Sequence, residues 1–234
     1  MVPIPINDNV RRSTFWLCTL LIILANVWVF LYELSLGREI NQLVLAYGIV
    51  PARYTTPRGL STLTPAGFFI PVFASMFLHG GWLHLLGNML FLFVFGRSVE
   101  DRFGHIKFLV IYFLGGLGGA VLHIFLSSGS GIPSIGASGA IAAILGAYFV
   151  SFPRARISTI VWLIFFVWRL ELPAVLVLGY WFLIQFLSGY TQSLSIQSAT
   201  AGGVAFWAHV GGFICGLLLA LILGPRRAEV EIME

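Results

Sequence analysis

Three short runs of the 234-residue chain bring together side chains that can do chemistry. The first is Ile135-Gly136-Ala137-Ser138-Gly139-Ala140, a serine between glycines at the start of an apolar run. At a loop-to-helix junction such a serine can expose its hydroxyl. The free N–H groups of the first helical turn and the positive end of the helix dipole would lie beside it, a setting that suits a developing oxyanion. The same serine would also serve as an ordinary helix N-cap between flexible glycines. Glycine two residues after the nucleophile marks the soluble-hydrolase elbow; here that position holds Ala140.

The second run is Ala208-His209, inside another apolar stretch. A histidine there either bonds a neighbouring helix or acts as a base. Ala208, Gly212 and Gly216 recur every four residues, as do Gly139, Ala143 and Ala147 in the serine's own run. Small-residue stripes allow helix backbones to approach closely. Packed along these stripes, the two helices would bring Ser138 within hydrogen-bond reach of His209, which is what a nucleophile and its base require. Neither run contains Asp or Glu, so a dyad is expected rather than a triad with a carboxylate. The third run is His79-Gly80-Gly81-Trp82-Leu83-His84-Leu85-Leu86-Gly87-Asn88. His84 and Asn88 share a helix face at i, i+4. Both are donors able to hold an oxyanion, and both would equally serve as interhelical glue. His79 is expected to anchor the preceding loop. His79, His84, His123 and His209 show no metalloprotease spacing, so no metal and no cofactor are expected.

Composition sets the solvent in which these groups must be positioned. Apolar residues make up 59% of the chain and charged residues 9%, against about 25% charged in a soluble domain. The net charge of +4 comes from scattered rather than clustered basic residues, so nucleic acid is not an expected partner and the lipid bilayer is. Cys18 and Cys215 sit in apolar runs and read as small buried hydrophobes. One membrane domain over 1–234 is expected, with spans at about 15–32, 82–96, 106–126, 138–152, 172–188 and 204–223. The first run is long for a signal core and lacks a following cleavage site, so it reads as a retained helix. Gly67 to Leu78 is too short to cross and suits an interfacial or re-entrant segment. Ile157 to Trp168, interrupted by Arg169 and Glu171, is also expected not to cross.

With six spans and the N-terminus inside, the inner segments hold Arg11, Arg12, Arg97, Arg102, Lys107, Arg154, Arg156, Arg169, Arg226 and Arg227. The outer segments hold only Arg38, Arg53 and Arg58. This asymmetry puts both termini in the cytoplasm. The second, fourth and sixth helices then all run inward. At about 1.5 Å per residue, His84, Ser138 and His209 share one level in the outer half of the bilayer.

Taken together, Gly136-Ala137-Ser138-Gly139, Ala208-His209-Val210-Gly211-Gly212 and the His79…His84…Asn88 run resemble the signature regions of rhomboid intramembrane serine proteases. Gly96-Arg97-Ser98-Val99-Glu100-Asp101-Arg102-Phe103-Gly104 resembles the end of their second helix. The similarity covers roughly residues 45 to 223. It implies an all-α, six-helix rhomboid bundle with a membrane-embedded first loop and a water-filled cavity open to the outside. It also implies cleavage of single-span membrane proteins near their outer boundary, in a prokaryotic cytoplasmic membrane. Ser138 would be the nucleophile and His209 the base, with His84, Asn88 and the Ser138 backbone N–H binding the oxyanion. Some members stack an aromatic, four residues after the nucleophile, on the base; here that position is Ala142. A catalytically inactive rhomboid-like protein that binds membrane clients is the alternative within the family. A small transporter using its histidines is the alternative outside it, but it would predict an internal repeat, and none is found.

Overall fold

In the computed structural model, which describes residues 4–163, 166–194, 204–226 and 232, most of the chain is helical. Helix α1 spans Leu17–Ser35. Four short helices follow in the long connection: α2 (Ile40–Tyr47), α3 (Pro51–Thr55), α4 (Pro57–Thr62) and α5 (Pro65–Ala74). Proline opens each of the last three, where its missing N–H costs nothing. Thr56 and Thr64 cap α4 and α5 by accepting from Gly59 and Gly67 N–H. Helix α6 (Trp82–Phe91), a π-helical turn (Leu92–Gly96) and α7 (Arg97–Phe103) form one continuous apolar segment. Then come α8 (His105–Leu126), α9 (Ser138–Ser151), α10 (Ala174–Leu194) and α11 (Phe206–Leu223).

Among the described residues, five helices are long and apolar enough to cross a membrane: α1, the α6–α7 segment, α8, α10 and α11. The expected fourth span, α9, has 14 residues and rises about 21 Å, short of about 30 Å of hydrocarbon. It is also the innermost helix, with every residue from Ala140 to Tyr148 buried. Antiparallel α8 lies against it, with Gly115 on Ala143 and Gly116 on Ala140. Ser138 is therefore level with the middle of α8, whose remaining turns to Leu126 rise about 12 Å further. With a cavity lined by Ser138 above it, α9 begins at the floor of a recess. The segment expected to be interfacial contains α5 and a 3-10 turn at Ser75–Phe77, and buries its own Val72 and Met76.

The all-α expectation needs correction. Strands β1 (Ile4–Asp8), β2 (Arg156–Leu163) and β3 (Phe166–Pro173) form an antiparallel sheet in the order β1-β2-β3. Ile4 pairs with Ile160 and Asp8 with Ile157, with an irregularity between Pro5 and Asn7. Arg156 pairs with Pro173 and Ser158 with Glu171. The apolar run from Ile157 is rich in β-branched residues, and these favour strands.

Polar side chains at this end of the bundle tie its elements together. The Asp8 carboxylate accepts from Arg12 Nη1 at 2.6 Å, Ser98 Oγ at 2.6 Å and the Tyr148 hydroxyl at 3.0 Å. Helix α1 has no side-chain cap of its own. Glu100 supplies one from α7, accepting from Cys18 N–H, Thr19 N–H and Thr19 Oγ1 at 2.6–2.7 Å. Asp101 likewise takes the N–H groups of Ser13 and Thr14. A carboxylate at a helix N-terminus satisfies orphan donors and meets the favourable end of the dipole. Lys107 caps the other polarity, donating to the carbonyls of Leu223 and Gly224 at the end of α11. Arg97, Arg102, Lys107, Arg156 and Arg226 all belong to this end; Arg227 lies outside the described residues.

Candidate active site

Helices α9 and α11 meet backbone to backbone. A Cβ at Gly212 would overlap the Gly139 carbonyl oxygen, and one at Gly216 the Ala143 carbonyl oxygen. Gly139 itself faces Ala208. Gly146 continues the contact against the Phe213 carbonyl, and the Gly118–Gly119 pair of α8 lies against Cys215 and Ala208. Three helices thus pack with almost no side chain between them. Glycine at these positions is a matter of space.

The loop before α9 is pinned on both sides. Ile49 and Ser134 exchange backbone hydrogen bonds at 3.0 and 2.8 Å, and Gly136 N–H donates to the Ser75 carbonyl at 2.8 Å. Gly136 adopts φ +127°, a conformation that only glycine takes readily. A Cβ there would also come within 2.7 Å of His84 Nε2 and 3.7 Å of Asn88 Nδ2. The backbone two residues before Ser138 therefore faces both α6 side chains.

Ser138 begins α9, and the N-cap position, Ala137, makes no side-chain cap. The Ser138 hydroxyl instead meets His209: Oγ lies 2.8 Å from Nε2. The N–H groups of Ser138, Gly139 and Ala140 belong to the first turn, which has no acceptor within its own helix. His209 is 7% exposed and Ser138 half-buried.

The other side of His209 belongs to α10, a helix with no expected site residue. Gln185 Oε1 lies 2.7 Å from His209 Nδ1. The Trp181 indole lies beside the imidazole in a tilted contact, with centroids 5.7 Å apart and planes 34° apart. Beside the expected Ser138–His209 pair thus stands a third, neutral side chain, and an aromatic of α10, Trp181, lies near the imidazole, whereas position 142 is alanine. The signal was present in the sequence: an amide in an apolar helix is a costly residue, and Trp181 stands one turn before it on the same face.

His79 fixes Asn88. Burial and the neighbouring His84 push the His79 imidazole down to about 4, so it is neutral near pH 7. Its Nδ1 lies 3.3 Å from the Phe77 carbonyl, and its Nε2 lies 3.0 Å from Asn88 Nδ2. With Nδ1–H donating, Nε2 accepts from the amide. The His79 backbone N–H donates to the Glu33 carboxylate of α1. His79 does secure the first loop, and it also orients a candidate oxyanion donor.

A cavity of about 30 Å³ adjoins Ser138, walled by Met76, Gly116, Ala120 and Ala208 among others. A second, of about 350 Å³, lies above it between the 127–134 loop and the ends of α10 and α11, with Ser127, Ser130, Gln192 and Ser193 in its wall. His123, Ser134 and Ala205 line both. Polar groups therefore mark a path from one end of the bundle to the serine. Cys18, Glu100 and His105 are the side chains that converge closely enough to share a metal ion among the described residues. They lie at the opposite end of the bundle, where the Glu100 oxygens already accept from α1 and from His105.

The Rhomboid domain profile matches residues 67–226, well over half of the chain. The chain is 33% identical over 147 residues to RHOMBOID-like protein 4 of Arabidopsis thaliana, covering 62% of this chain and 32% of that protein. It is 31% identical over 152 residues to RHOMBOID-like protein 6, mitochondrial, of the same plant, covering 64% and 42%. It is 28% identical over 191 residues to the presenilin-associated rhomboid-like protein, mitochondrial, of Rattus norvegicus, covering 76% and 45%. The matched region spans less than half the length of each of these relatives. The recessed serine, the histidine beside it and the profile match over residues 67–226 lead to one assignment: this chain belongs to the rhomboid family.

Proposed function

We propose that this protein is an intramembrane serine endopeptidase that cleaves single-span membrane proteins. The observation that carries the reading is the 2.8 Å approach of Ser138 Oγ to His209 Nε2 within a family of membrane-embedded rhomboids. Neutral His209 takes the Ser138 proton as Oγ attacks the scissile carbonyl. The resulting oxyanion lies at the N-terminus of α9, where the Ser138 N–H, His84 and Asn88 stabilise it. His209 then protonates the leaving amine, and water releases the acyl group by the same route in reverse. The polar path from the 350 Å³ cavity gives that water its way in.

The same reading places Ser138 on the outer side of the membrane and both termini in the cytoplasm, as the basic residues favour. The test is cleavage of single-span fusion proteins by the purified protein in detergent. Ser138→Ala removes the nucleophile and little volume, so cleavage should fall to background in a folded protein. Equal proteolysis by parental protein and variant would remove the assignment. Client binding without cleavage by the parental protein would favour the inactive alternative.

A further inference from the structure

Helix α10 is the least buried of the five long helices. Leu176, Tyr180, Leu183 and Leu187 point outward, and its inner face meets α11 through Phe182 on Phe213 and Trp207 Nε1 on Ser193 Oγ. Yet this peripheral helix turns one amide inward. Gln185 is 9% exposed, and its oxygen lies 2.7 Å from His209 Nδ1. Packing alone does not call for an amide here, since an apolar side chain would fill the same space without the cost of burying polar atoms.

The consequence follows from donor and acceptor inventories. Neutral imidazole carries one N–H and one lone pair, on different nitrogens. An amide oxygen can only accept, so Gln185 Oε1 selects the form with the proton on Nδ1. Nε2 then presents its lone pair to Ser138 Oγ at 2.8 Å, which is the arrangement a general base needs. The opposite form would put an N–H between Nε2 and the hydroxyl and leave nothing to accept the serine proton. Trp181 packs beside the same ring, with centroids 5.7 Å apart.

We infer that Gln185 is a positioning residue that holds His209 in the Nδ1–H form with its Nε2 lone pair facing Ser138. The role in turnover rests on the proposed peptidase reading; the protonation pattern does not. Within that reading the site is a serine–histidine–glutamine unit drawn from three helices, with a neutral third member in place of a carboxylate.

Two readouts test this on the full chain in detergent. The first is nitrogen NMR of protein labelled with 15N-histidine, the His209 signals being identified by their loss in His209→Ala. Parental protein should show Nδ1 protonated and Nε2 unprotonated. Gln185→Leu should lose that pattern for a mixture, and Gln185→Glu, which keeps an acceptor oxygen, should retain it. The second readout is steady-state cleavage of a single-span fusion protein. Gln185→Leu should lower kcat by about 10²-fold, the lower end of what a positioned general base contributes, with KM little changed, and Gln185→Glu should recover most of the loss. If Gln185→Leu does not fold, Gln185→Met replaces it.

An Nε2–H pattern in the parental protein would overturn the inference, as would a leucine variant with the parental pattern and parental kcat. If the parental protein shows the Nδ1–H pattern but neither cleaves nor reacts with a serine-directed phosphonate, the peptidase reading fails. In that case the leucine and glutamate variants still decide the positioning role from their spectra.

Discussion

Gly212 lies directly against the carbonyl of Gly139, one residue from Ser138 and three from His209, so the separation of two backbones sets the approach of the Ser138 and His209 side chains. Replacing Gly212 with Leu must push α11 away from α9. A misplacement of about 1 Å can cost on the order of 10²-fold in rate. The variant should still reach the membrane fraction, because the substitution adds hydrophobicity to a spanning helix. Phosphonate labelling of Ser138, compared with membrane yield, checks this; parental labelling in Gly212→Leu would show that the contact does not control the site.

His84 and Asn88 approach the backbone before Ser138 from α6. If they hold charge only in the transition state, His84→Ala and Asn88→Ala should each lower kcat while leaving KM nearly unchanged. Loss of one such donor costs about 10²–10³-fold in soluble proteases. Partial substitution of one donor by the other would make the single losses smaller than the double loss. A double variant that cleaves at the parental rate would exclude the donor role.

The base must be neutral to accept a proton, so labelling of Ser138 should fall as pH drops through the ionisation of His209. Histidine in water titrates near pH 6.5. The profile should be a single step, rising with pH to a plateau, and it should vanish with the rate in His209→Ala. His105→Ala should leave it unchanged, because His105 pairs with Glu100 at the far end of the bundle. A step that survives without His209 would mean that another group is the base.

Glu100 holds the N-terminus of α1 from a different helix. Glu100→Ala leaves the N–H groups of Cys18 and Thr19 without their acceptor and removes the partner of His105. Hydrogen bonds to a charged group are worth about 1.5–3 kcal/mol each, and water reaching the site will recover part of that. The midpoint of thermal unfolding in detergent should drop by several degrees, while cleavage at low temperature persists. An unchanged midpoint would show that α1 is held mainly by its apolar contacts.

Much of the candidate site was legible in the sequence because membrane helices leave few polar residues without a purpose. Ser138, His209, His84 and Asn88 stood out as polar groups in apolar runs, and the small-residue stripes announced which helices approach. The orientation expected from the basic residues, with the rise per residue, put them at one expected level. Composition alone excluded a water-soluble fold.

Other features depended on contacts between segments far apart in the chain. The bounds of α9 were legible, 138–152 against the observed Ser138–Ser151, but not what surrounds its start: the recess above Ser138 is made by the taller α8 and the loop pinned to Ile49 and Ser75. The strands at Ile4–Asp8 and Arg156–Pro173 were hidden because apolar residues in a membrane chain mask the alternation that marks a strand. Glu100, at the end of a helix, showed no sign of capping α1. Gln185 and Trp181 were visible as types, but their role depends on the angle at which α10 meets α11. Local pattern and solvent determined which residues had to be accounted for; only the packing of helices decided which nitrogen of His209 faces the serine and what holds the other.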